Sequence, residues 1–167
     1  MIAIDANHPT RATTGSGAAS WKLFPHYGRT GESMGLLPAT ADPMSPPDAP
    51  FLEYRVYVTR AAPASIQCIF APSLPVAPGR GLRYAVSVDD QAPHVVDFAT
   101  KAGEKAWAEG VKDNARTSVT QVPSLAAGPH LIRIWGVDPG VLLQRIVIDC
   151  GGLRPSYLGP PESFYEN

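Results

Sequence analysis

The stretch "GLRYAVSVDDQAPHVVDF" (residues 81–98) decides the fold. Leu82, Tyr84, Val86 and Val88 recur at every second position, so in an extended chain they share one face. Residues 89–93, "DDQAP", break the alternation with turn-forming types, and "HVVDF" resumes it. Two extended runs around a short turn read as a β-hairpin.

The same period extends outward. "FLEYRVYV" (51–58) sets Leu52, Tyr54, Val56 and Val58 against Phe51, Glu53, Arg55 and Tyr57. "PHLIRIWGVD" (129–138) and "VLLQRIVID" (141–149) are strong strands, expected to form a second hairpin across Pro139-Gly140. Shorter candidates lie at 2–5, 21–24, 33–37, 65–70 and 117–122. Helical character is confined to 103–115, and Gly110 keeps that helix short. Many strands with one short helix point to an all-β antiparallel β-sandwich of jelly-roll type. A chain of 167 residues fits one such domain. The segments 8–20 and 38–50, rich in small and turn-forming residues, read as surface loops. Within the second, "PMSPPDAP" (43–50) is a semi-rigid connector into the strand at 51. With 15 glycines and 18 prolines alongside strong alternation, the chain has many turns without being disordered.

Fourteen basic and fifteen acidic residues leave no basic stripe for nucleic acid. No apolar run approaches a membrane span, and the start shows no secretory signal pattern. Cys68 and Cys150 sit in apolar strand-like stretches and read as buried free thiols, with a disulfide, which needs an oxidising compartment, as the lesser alternative. His8, His26, His94 and His130 show no metal-ligand spacing, and no nucleophile elbow occurs. Asp89 and Asp90 read as turn formers, and spacing assigns no catalytic carboxylate pair. The chemistry left is binding: aromatic faces against sugar faces, with polar side chains reading hydroxyls. Trp135 alternates inside a strand and reads as core. Trp107, Asn114, Arg116 and Arg29 remain as ligand-binding candidates.

The tail 154–167 opens "RPSYLGPPES". Pro155, Pro160 and Pro161 fix φ and remove donors, so it cannot extend a sheet regularly. It is expected to be a stiff strap whose Tyr157 and Leu158 settle into an apolar recess.

Together, "HYGRTGESMGLLP", "APFLEYRVYV", "LRYAVSVDDQAP", the spaced Trp107, Val111 and Asn114, and "GPHLIRIWGVDPGVLLQRIVIDCGGLRPSYLGPPES" resemble the C-terminus of glycoside hydrolase family 115. Those enzymes are xylan α-1,2-glucuronidases, and the resemblance runs from residue 4 to residue 163. It implies a non-catalytic β-sandwich similar to carbohydrate-binding modules. The domains that carry catalysis lie upstream in that family and are absent from this sequence, so no catalytic residue carries over. Those upstream catalytic domains are the implied partner. Packing against them, with Tyr157, Leu158, Pro160 and Pro161 as a docking strap, is the preferred expectation. The alternative is a module recognising xylan-derived oligosaccharide or glucuronoxylan. Periplasmic or secreted placement is implied by the resemblance alone. A looser likeness to carbohydrate-binding module families 6 and 35 implies a structural calcium ion near Asp5 and Asn7, with Gln144 where an acid is expected. The preferred reading of Asp5 and Asn7 is as strand-end and turn residues, with no cofactor.

Overall fold

The computed structural model describes residues 1–17, 19–98, 103–154 and 156–163. One sheet runs β3 (Ser20–Pro25), β4 (Glu32–Leu37), β11 (Leu142–Asp149), β6 (Ala62–Phe70), β9 (Arg116–Leu125), with β1 (Ile2–Asp5) also paired to β11. The other runs β2 (Arg11–Ala12), β5 (Phe51–Val58), β10 (Gly128–Gly136), β7 (Arg83–Val88), β8 (His94–Asp97). Every strand pairing among the described residues is antiparallel. The helix α1 (Gly103–Asp113) carries the chain from β8, at one sheet's edge, to β9, at the other's. This is the antiparallel sandwich that the alternation predicts.

The inward faces are the ones read from the sequence. Leu52, Tyr54, Val56 and Val58 of β5 and Tyr84, Val86 and Val88 of β7 meet Ile66, Cys68 and Phe70 of β6. Phe70 stacks on Phe98 at 4.5 Å between centroids and tilts against Tyr84 at 4.7 Å, which joins the two sheets. Each such side chain contributes about 1.5–3 kcal/mol by leaving water. Burial pushes the Cys68 thiol up to about 12, so it is a packing residue without thiolate chemistry. Cys150 is only half-buried, against the expectation.

The hairpin over 81–98 forms, with Arg83 opposite Asp97 and Val86 opposite His94. Its turn is pinned by Asp89, which takes the left-handed conformation (φ 52°) and accepts the Leu131 N–H at 2.8 Å. The second expected hairpin does not form. β10 lies between β5 and β7, whereas β11 lies in the opposite sheet. Pro139-Gly140 turns the chain from one sheet to the other, and buried Asp138 anchors the crossing through three bonds from Arg83. Alternation identifies which face of each strand is apolar, but not which neighbour the strand takes.

Both sheets also bury part of their outer faces. Trp135 lies outside β10 against Phe51 (4.7 Å), donating to Ser87 Oγ at 3.0 Å. Ala49 and Met44 of the proline-rich connector cover it. The segment 8–20 is not wholly loop: β2 pairs with β5, and Thr14 bridges to Ser20. A two-residue strand is too short to show a period. On the other sheet Ala3, Ile69 and Val147 form an outer cluster under Leu153. That cover explains why "LLQRIVID" is buried on both faces.

Candidate functional site

Gln144 organises one end of the sandwich. A register shift between Leu143 and Arg145 marks a bulge there, and its amide is completely buried. The amide oxygen accepts the N–H groups of Arg29 and of Thr30 (3.2 Å), and the amide nitrogen donates to the Asn114 carbonyl at 3.0 Å. One side chain thus ties the β3–β4 loop to the corner between α1 and β9. Gly28 (φ 97°) permits the approach, because a Cβ there would lie 2.5 Å from the Gln144 amide. The sequence signal for this clamp is a lone amide inside an apolar run. From sequence alone it marks only the place of a missing acid.

The clamp brings three predicted residues to the same end. Asn114 ends α1 in the left-handed conformation (φ 50°), its N–H reaching the Val111 carbonyl at 3.2 Å. Its side chain is exposed, so its clear task is to stop the helix. Arg116 donates to the Phe98 carbonyl and lies 5.1 Å over the Phe98 ring. Burial pushes its guanidinium below the usual arginine range. Arg29 lies 5.1 Å over the Tyr157 ring, and its buried Nε has no partner. Arg29 and Arg116 line an open cleft of about 600 Å³ with His94, Glu109, Asp113 and Thr117. Trp107 is half-buried on α1 and does not line this cleft. Helical position alone could not show which way it faces.

A second groove, about 340 Å³, shares Arg29 and Thr117 with the first and passes beneath the C-terminal strap. Its floor includes Ile69 and Val147, and Pro160 lines its strap side. Pro155 and residues 164–167 of the predicted strap lie outside the described residues. The strap is tied down by polar groups rather than by its apolar ones. Ser163 N–H donates to the Ala3 carbonyl (2.8 Å), and Ala3 N–H donates to Ser163 Oγ (3.0 Å). Glu162 Oε1 accepts the Asp5 N–H at 2.9 Å and meets His8 Nδ1 at 2.8 Å. Arg145 donates to the carbonyls of Leu158 (3.2 Å) and Pro160 (2.8 Å). Tyr157 and Leu158, expected in a recess, are 61% and 59% exposed, and Pro161 is exposed too. The expectation weighed only the apolar side chains and missed the carbonyls and carboxylate that do the holding.

The residues near β1 do not fit calcium, which takes about six to eight oxygen ligands. Asp5 Oδ1 is engaged by Arg145 Nε at 2.6 Å, and Asn7 Nδ2 donates to Glu32. The Gln144 oxygen already accepts two N–H groups. Among the described residues, ligand atoms of Asp5, His8 and Glu162 lie within 4.8 Å of one another. Their hydrogen bonds and the Arg145 guanidinium account for that cluster as a strap clasp.

The sequence matches the model of the glycosyl hydrolase family 115 C-terminal domain over residues 1–162. No curated protein matches it. Among solved structures it is similar to the GH115 4-O-methyl-α-glucuronidase BtGH115A, described as specific for decorated arabinogalactans (TM-score 0.63, 18% identity). That match covers 87% of this chain and 18% of the enzyme, so the chain spans less than a fifth of its length. The C-terminal CBM6 of the marine laminarinase LamC from Zobellia galactanivorans is similar over 88% of this chain and 97% of its own (TM-score 0.59, 13% identity). A family 35 carbohydrate-binding module from Clostridium thermocellum is similar over 89% and 98% (TM-score 0.58, 20% identity).

Proposed function

The chain belongs to the C-terminal domains of glycosyl hydrolase family 115, and from that premise we propose that it is a non-catalytic accessory domain that binds polysaccharide for an α-glucuronidase-type catalytic body. The observation that carries this reading is the open cleft between α1, β8 and β9. It holds two arginines, two carboxylates and a threonine, the mixture of donors and acceptors that reads sugar hydroxyls. The carbohydrate-binding-module architecture supports it as analogy.

Docking onto the catalytic body is the second reading. A bare apolar sheet face would favour it, but the outer clusters of both sheets are covered by this chain's own segments. What favours it is the exposure of Tyr157 and Leu158 on a fixed strap. Electrophoresis of the chain through gels containing soluble glucuronoxylan tests the first reading. Retardation relative to a sugar-free gel is expected; unchanged mobility in glucuronoxylan and in unsubstituted xylan would overturn it.

A further inference from the structure

Among the described residues six arginines are buried or half-buried: Arg29, Arg80, Arg83, Arg116, Arg133 and Arg145. Four of them meet a carboxylate: Arg80 with Asp42 (3.0 Å), Arg83 with Asp138 (2.8 Å), Arg133 with Glu53 (2.7 Å) and Arg145 with Asp5 (2.6 Å). Arg29 and Arg116 meet none among the described residues, and these two line the same cleft. A guanidinium withdrawn from water without a counter-ion is unfavourable, and a ligand carboxylate relieves that cost in a bidentate geometry. Glu109 and Asp113 line the cleft but pair with neither arginine, and both are exposed on α1.

A second observation fixes the shape of the ligand. The cleft and the groove under the strap share Arg29 and Thr117, so they adjoin at these two residues. Tyr157 sits over the Arg29 guanidinium and leaves most of its surface open. A largely exposed aromatic ring beside a cation suits the apolar face of a sugar ring.

We propose that the cleft and the adjoining groove bind an extended, carboxylate-bearing oligosaccharide, with a uronic acid carboxylate held by Arg29 and Arg116 and a neighbouring sugar ring laid on Tyr157, which lies beside Arg29 but outside the lining of either. The inference rests on the polysaccharide-binding reading and makes the strap one wall of the site. Arg29 and Tyr157 are far apart in sequence, and the clamp at Gln144 and the clasp at Glu162 and Arg145 hold them together.

The test is titration calorimetry of the purified chain with three probes. They are a glucuronic-acid-substituted xylo-oligosaccharide, the unsubstituted oligosaccharide of equal length, and a glutamate-rich peptide. The substituted sugar is expected to bind about tenfold more tightly than the neutral one, with the gap closing as sodium chloride rises. Arg29→Gln and Arg116→Gln should each bring the two sugars to equal affinity, and Tyr157→Ala should weaken both about tenfold. Should Arg116→Gln fail to fold, Arg29→Gln and the exposed Tyr157→Ala still decide the matter. Equal affinity for both sugars overturns this inference and leaves the polysaccharide reading standing, whereas binding of neither overturns both. Peptide binding as tight as the acidic sugar's assigns the arginines to a protein partner, and unchanged affinity in Tyr157→Ala removes the strap from the site.

Discussion

Replacing Gln144 by leucine isolates the clamp at the end of the sandwich, because leucine keeps nearly the same volume and loses every polar contact. Three backbone groups lose their partner: the N–H groups of Arg29 and Thr30 and the carbonyl of Asn114. An unsatisfied buried group costs about 1–3 kcal/mol. Arg29 and Thr30 are half-buried and Asn114 is exposed, so water reaches part of each and the low end applies. The leucine side chain, gaining from burial, offsets some of the total. A net loss of about 2–3 kcal/mol remains, which lowers the melting temperature by roughly 4–12 °C in a chain of this size. Differential scanning calorimetry measures it, and amide hydrogen exchange should show faster exchange at Arg29 and Thr30 than in the wild type. Gln144→Glu sharpens the test. Its carboxylate accepts the two N–H groups but faces the Asn114 carbonyl without a donor. It therefore keeps the partners of Arg29 and Thr30 but not of Asn114, so exchange at those two amides should stay close to the wild type. A Gln144→Leu protein that melts within about 1 °C of the wild type, with protected amides at Arg29 and Thr30, would refute the clamp.

His130 donates from Nδ1 to Asp89 (2.8 Å) and from Nε2 to the Ala126 carbonyl (3.0 Å), a pairing that needs the imidazolium. The bond to Asp89, aided by the Ala126 carbonyl and opposed by burial, raises the His130 pKa. Its contribution is full below the unfolded value of about 6.5 and fades as pH rises through the folded one. Wild-type melting temperature should therefore fall between about pH 6 and 8 relative to His130→Gln; parallel curves for the two would contradict this. Removing residues 154–167 frees Arg145, Ala3 and Asp5 from the strap and should lower the melting temperature by about 3 °C or more. An unchanged melt would mean that the clasp adds no stability. The purified chain should release no glucuronic acid from glucuronoxylan; release proportional to its concentration would overturn the accessory reading.

Strands at 51–58 and 81–98 are legible from the period of two in their large apolar residues, and 141–149 from an apolar run, which the fold buries on both faces. Partner choice was not legible, since Val141 follows Gly140 in sequence but crosses to the opposite sheet in space. The outer covers were missed for a similar reason. Met44 and Leu153 are single apolar residues in proline- and glycine-rich segments, with no period to read. At the site, Arg29 and Arg116 are recognisable as polar candidates, yet their lack of counter-ions emerges only once the other four buried or half-buried arginines have been paired. Trp107 is a candidate by its chemistry alone, and Tyr157 by an apolar body that the fold leaves in water. Neither side chain's direction is encoded locally.

The polysaccharide-binding account is tested most directly by an amide NMR titration of the 167-residue chain with the glucuronic-acid-substituted oligosaccharide. The account predicts shifts clustered at residues 28–30, 94–98, 109–119 and 156–160, saturating together. Shifts confined to β2 and β5, at the far edge of the sheet that β8 borders, or no shifts at millimolar sugar, would contradict it.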